Sequence, residues 1–108
     1  MESSSIDGKV LVVTLPCGEV WEIPAEVVAK SRAAYYAQHD TGQTSGEEYD
    51  KVFAAEIEVA TSDTYEIVDW AGNNMNWSDV APFATLRKPE PRDVNYQREW
   101  RESTMKVE

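Results

Sequence analysis

At 108 residues, 42% of them hydrophobic and eleven aromatic, the chain is long enough for one domain with a modest core and too apolar for disorder. Twenty acids against ten bases give a formal charge of −10, which disfavours nucleic-acid phosphates and anionic membranes as direct partners. No run approaches the roughly 18 apolar residues of a membrane span, MESSSIDGK reads as no secretory signal, and the single Cys17, with no partner for an internal disulfide, fits a reducing cytoplasm.

The first element is a near-continuous β-branched run, Lys9–Leu15, followed by turn chemistry at Pro16-Cys17-Gly18 and an alternating stretch, Glu19–Ile23. This pattern predicts a β-hairpin whose first strand is an inner one, or one whose outer face meets the tail. Pro24 is suited to begin a helix, because its missing N–H removes no helical hydrogen bond there. The helix is expected over Ala25–Gln38, with Val27, Val28, Ser31, Ala34, Tyr35 and Gln38 on one side, and HDTGQTSG ends it.

Ser45 and Glu48 have capping-box spacing for a second helix reaching about Thr61, with Tyr49, Val52, Phe53, Ile57 and Ala60 along its apolar arc. The alternation in AAEIEVA offers a strand instead, but the cap and the paired alanines favour helix. At about 100° per residue, Glu56 then falls inside the apolar arc. A carboxylate there snorkels past a thin core, meets a base such as Arg32 or a tail arginine, or serves as a functional acid.

Asp63 and Glu66 repeat the capping spacing before a third helix, DTYEIVDWAGNN, with Ile67, Val68, Trp70, Ala71 and Met75 facing inward. Gly72, Asn73 and Asn74 suit a fraying, left-handed helix end, and Ser78-Asp79 suit the cap of a short turn before Pro82. The dense stretch DWAGNNMNWSDV therefore reads as a helix end folded onto the core, closed over by Trp77. As a catalytic loop it lacks a nucleophile paired with a base.

Phe83–Lys88 alternates again and is expected as a third strand beside the hairpin. The stiff spacer PEP follows, and then RDVNYQREWREST, a short amphipathic segment with Tyr96 and Trp100 at i,i+4. The fold expected is α+β: an N-terminal hairpin and a C-terminal third strand in a small antiparallel sheet packed on about three helices. Residues 1–88 form the compact domain and 89–108 a Pro-led, slightly basic tail.

The chain in VWEIPAEVVAKSRAAYYAQHD, GEEYDKVFAAEIEVATSD and YEIVDWAGNNMNWSDV resembles a group of small acidic proteins of tailed bacteriophages and prophages. The likeness covers roughly residues 20–80, and DWAxNNMNWxDV is its most specific part. It implies a viral context, in host cytoplasm or virion, and transfers no catalytic residue.

Metal chemistry is disfavoured by one histidine, His39, and one cysteine. The scattered glycines make no phosphate loop, and His39 beside Asp40 stands in a polar breaker segment with no nucleophile, so neither an enzyme nor a cofactor is expected. The charge distribution is the feature that points to a partner. Residues 33–86 hold ten acids against Lys51 alone, whereas 87–108 hold five acids and six bases. Glu47, Glu48, Asp50, Glu58, Glu66 and Asp69 are the candidates for contact with a basic surface of a host or defence protein, by stoichiometric binding or as a mimic of nucleic acid. The competing expectation is a virion or assembly component, held as a homo-oligomer with the basic tail as docking arm.

Overall fold

The structure, a computed structural model, describes residues 8–88 and 95–108. Strands β1 (Val10–Thr14) and β2 (Val20–Pro24) form the expected hairpin, antiparallel, with Leu11 opposite Ile23 and Val13 opposite Trp21. At its turn the Gly18 N–H donates to the Leu15 carbonyl at 2.9 Å, and Gly18 takes a φ of 105° that a side chain would strain. Strand β3 (Thr85–Lys88) pairs antiparallel with β2, where the alternation of FATLRK places a strand, although Phe83 itself lies in the turn before it.

The sheet has a fourth strand, β4 (Thr104–Val107), paired antiparallel with β1 in the order β3-β2-β1-β4. This corrects the division of the chain into a compact 1–88 and a tail. The reason lies in β1: its near-continuous apolar run suits a central strand, with neighbours on both edges. Val12, on the face of β1 opposite Leu11 and Val13, is 4% exposed and lies in register between Glu22 and Lys106. The PEP spacer and residues 92–94 of the amphipathic segment lie outside the described residues.

The α+β class is as expected. Among the described residues, three main helices, α1 (Ala25–Thr41), α2 (Glu47–Ser62) and α3 (Tyr65–Asn74), are joined by two short ones, α4 (Trp77–Val80) and α5 (Tyr96–Arg101). A single 3₁₀ turn, Ala81–Phe83, follows α4. Pro24 is the last residue of β2 and stands just before α1 rather than within its first turn. The helix runs one turn past Gln38 to end at Gly42, which takes a left-handed φ of 70° and donates its N–H to the Gln38 carbonyl at 2.8 Å.

The expected face of α1 is corrected too. Ala25, Val28, Ala29, Ala33 and Ala37 are buried, because small side chains let a helix approach its neighbours closely; Val27 is half-buried at the edge of the core, and Ala34 is half-buried outside it. In α2 the expected arc holds, with Ala60 buried and Tyr49, Val52, Phe53 and Ile57 half-buried, and AAEIEVA is helical.

Neither capping box expected for α2 and α3 forms. Gly46, with a φ of 105°, precedes α2, and the Ser45 side chain makes no cap. Asp63 accepts from the Tyr65 N–H at 3.2 Å, but Glu66 turns away to Arg32. The capping box that does form belongs to α4. Asn76 and Asp79 satisfy each other's backbone N–H groups, with the Asn76 N–H donating to Asp79 Oδ2 at 2.8 Å, in place of the Ser78-Asp79 cap. Helix α3 continues through Gly72, Asn73 and Asn74 without a left-handed residue and stops where Met75 becomes extended.

The core joins Leu11, Val13 and Ile23 of the sheet to Val28, Ile67, Trp70 and Trp100. Trp70 packs against Tyr35 and Tyr36 and donates its Nε1–H to Ser31 Oγ at 3.1 Å. Trp77 is half-buried and stacks on Tyr96, with ring centroids 5.0 Å apart. The Trp100 Nε1–H donates to the Met75 carbonyl at 2.9 Å, and Gln97 bridges to the Trp77 N–H and the Asn76 side chain. The DWAGNNMNWSDV stretch is thus the end of α3 folded onto the core, and its second half is the seat of α5.

Candidate protein-binding surface

Helices α1 and α2 form an antiparallel-running hairpin of which only the sheet end is anchored. Burial in α1 stops at Ala37 and in α2 is confined to Ala60, so the turn, residues 38–51, is solvated apart from the half-buried Thr41 and Tyr49. Glu47, Glu48 and Asp50 occupy the first turn of α2 at this end, all exposed, with Lys51 answering only Glu47 at 3.6 Å. The positive end of a helix dipole stabilises carboxylates at that location. Glu58 is exposed farther along α2.

The remaining two candidates are differently placed. Glu66 is an internal contact: its Oε1 lies 3.5 Å from Arg32, while Glu56 lies 2.7 Å from the same guanidinium. Arg32 is 8% exposed, and its guanidinium sits over the Tyr36 ring at 4.8 Å. One base of α1 thereby ties α2 to α3, and the base beside Glu56 is Arg32, one of those the sequence offers. Asp69 is half-exposed and accepts from the Asn73 side chain at 2.8 Å. The structure thus brings Glu47, Glu48 and Asp50 together and leaves Glu58, Glu66 and Asp69 apart from them.

A second feature escaped the sequence reading. An open groove of about 780 Å³ runs along the side of α1 away from the buried alanines, floored by Val27 and Ala34 and flanked by Phe53, Met75 and Phe83. Its rim carries Glu26, Lys30 and Asp79, and Glu26 pairs with Lys30 at 3.8 Å. Phe83 is 52% exposed, held outward by the turn containing Pro82. The signal was in α1, whose apolar residues fall on two opposite sides: Val27 and Ala34, seven positions apart, share one, and Ala25 and Ala29 the other.

The titratable groups elsewhere are engaged in holding elements together. Glu19 is 4% exposed and accepts from Trp21 Nε1–H at 3.1 Å. Burial, then the hydrogen bond and charge of Glu19, push the Tyr96 phenol above its ordinary pKa. Cys17 is half-buried at the hairpin turn, where its backbone N–H donates to Glu99 at 2.8 Å. His39 is exposed at the end of α1, stacked on Tyr35 and 3.6 Å from Asp40. Among the described residues no group of three or more His, Cys, Asp or Glu is placed to hold a metal ion, and no helix is long and apolar enough to cross a membrane.

Compared with known proteins, the chain matches no family model, and no curated protein or solved structure matches it.

Proposed function

We propose that the chain is a small phage accessory protein that acts by stoichiometric binding, its acidic helical hairpin docking on a basic surface of a host or defence protein in the host cytoplasm. One observation carries this reading: Glu47, Glu48 and Asp50 stand solvated together at the weakly anchored end of α1 and α2, with Lys51 the base beside them. Carboxylates so presented raise the encounter rate with a basic patch within about a Debye length, roughly 8–10 Å. The phage context rests on the likeness of residues 20–80 to small acidic phage proteins.

The axial spacing favours a local basic patch over mimicry of a duplex. At about 1.5 Å per residue, Asp50 and Glu58 are roughly 12 Å apart along α2, whereas phosphates on one DNA strand recur about every 3.4 Å of helix axis. The test is capture of a partner from infected cells with tagged protein, followed by binding of that purified partner to the parent and to a Glu47→Lys, Glu48→Lys, Asp50→Lys variant. One-to-one binding weakened by the reversals is expected. Comigration with particles and no captured host protein would replace this reading with a virion role.

A further inference from the structure

We infer that the groove along α1 receives a basic amphipathic helix from the partner; this rests on the binding reading above and names the element that binds. The floor, Val27 and Ala34, is seven residues long on one side of α1, about 10 Å. That is the span of apolar anchors at i, i+4 and i+7 on a docked helix. Phe53 and Phe83 stand as aromatic walls, and the volume of about 780 Å³ is that of a site for several apolar side chains.

The charge around the groove selects the occupant. Two carboxylates, Glu26 and Asp79, line the groove. Lys30 is the base among the lining residues and pairs with Glu26 at 3.8 Å, so the lining carries one net negative charge, on Asp79. An apolar floor with a net acidic rim, on a chain of charge −10, matches a helix with leucines on one face and lysines on the flanks. A second copy of this chain would bring the same acidic rim against its own.

The test uses the full chain and three synthetic helical peptides, read by fluorescence anisotropy. The first has Leu at i, i+4 and i+7 with Lys on the other faces; the second replaces Lys by Glu; the third has the first peptide's composition with its leucines scattered. The first should bind at least about ten-fold more tightly than the others. Phe83→Ser and Ala34→Gln, at positions that are not buried, should each weaken it several-fold with an unchanged thermal melt, and amide shifts should centre on Val27, Lys30 and Ala34. Equal binding of the scattered peptide would overturn the groove while leaving the acidic hairpin as a docking surface. Equal binding of the Glu peptide, or self-association abolished by Phe83→Ser, would overturn the basic occupant. Groove variants that weaken binding while the Glu47, Glu48 and Asp50 reversals do not would support the groove and count against the hairpin reading alone.

Discussion

Four tryptophans divide the structural work unequally, and their hydrogen bonds and exposure say how. Trp100 is 1% exposed and tied by its indole N–H to the Met75 carbonyl, so Trp100→Ala leaves both a cavity and an unpaired carbonyl. A loss of about 3–5 kcal/mol is expected in denaturant unfolding. Trp77 is half-buried and contributes chiefly ring contacts with Trp21 and Tyr96, so Trp77→Ala should cost about 1–2 kcal/mol. Equal losses would show that the indole hydrogen bond and full burial of Trp100 contribute little. Tyr96 adds a pH signature. Its phenol ionises above the ordinary value of about 10 because burial and Glu19 disfavour the phenolate. A group whose folded pKa is raised stabilises the fold below its unfolded value, and that contribution is lost as pH rises through the folded one. Stability should therefore fall on the alkaline side of pH 10, followed by phenolate absorbance, and Tyr96→Phe should flatten that fall while lowering stability at neutral pH.

Between elements, Arg32 is the joint that decides how α2 and α3 sit on α1. Its guanidinium is almost wholly removed from water, so each carboxylate it loses leaves a buried charge short of a partner. Glu56→Gln should lower stability by about 1–3 kcal/mol, whereas Glu58→Gln, on the solvated side of α2, should stay within about 0.5 kcal/mol. Thermal melts at neutral pH that shift equally would remove Arg32 from this role. The position of Glu56 was legible in the sequence because helical spacing placed a carboxylate in an apolar arc; that Arg32 answers it, rather than the side chain snorkelling to solvent, took the structure. The inward face of α3 was legible because its periodicity reflects burial directly, whereas the hairpin was legible from its β-branched run and turn residues, and β3, with Thr85, Leu86 and Arg87 exposed, from alternation alone. What stayed hidden was set by long-range pairing. Strand β4 is four residues, T-M-K-V, which alternate over too short a run to announce a strand, and only the free edge of β1 explains why it pairs. The face of α1 was misread because alanines, the weakest hydrophobic signal, mark the closest packing.

For the whole molecule, the open question is whether the acidic hairpin is a solvated face or a docking surface, and the two make different demands on salt. The first turn of α2 is a favourable place for Glu47, Glu48 and Asp50 on stability grounds alone, because they complement the helix dipole. If that were their whole purpose, reversing them to Lys would lower the melting temperature and leave partner association untouched. Asp40 gives a reason to expect more. It sits in the last turn of α1, where the dipole disfavours an acid, yet it faces solvent at the same end of the hairpin. A carboxylate placed where it weakens its own helix adds to the acidic field at that end, and its contact there, His39 at 3.6 Å, is itself exposed. The expected outcome is that Asp40→Asn leaves the fold at least as stable and slows association with the captured partner, while the Glu47, Glu48 and Asp50 reversals slow it further. Both effects should be largest at low ionic strength and shrink as the Debye length falls to about 3 Å near 1 M salt. Stopped-flow association rates across a salt series measure this, and rates indifferent to both the substitutions and the salt would leave the hairpin as a solvated face.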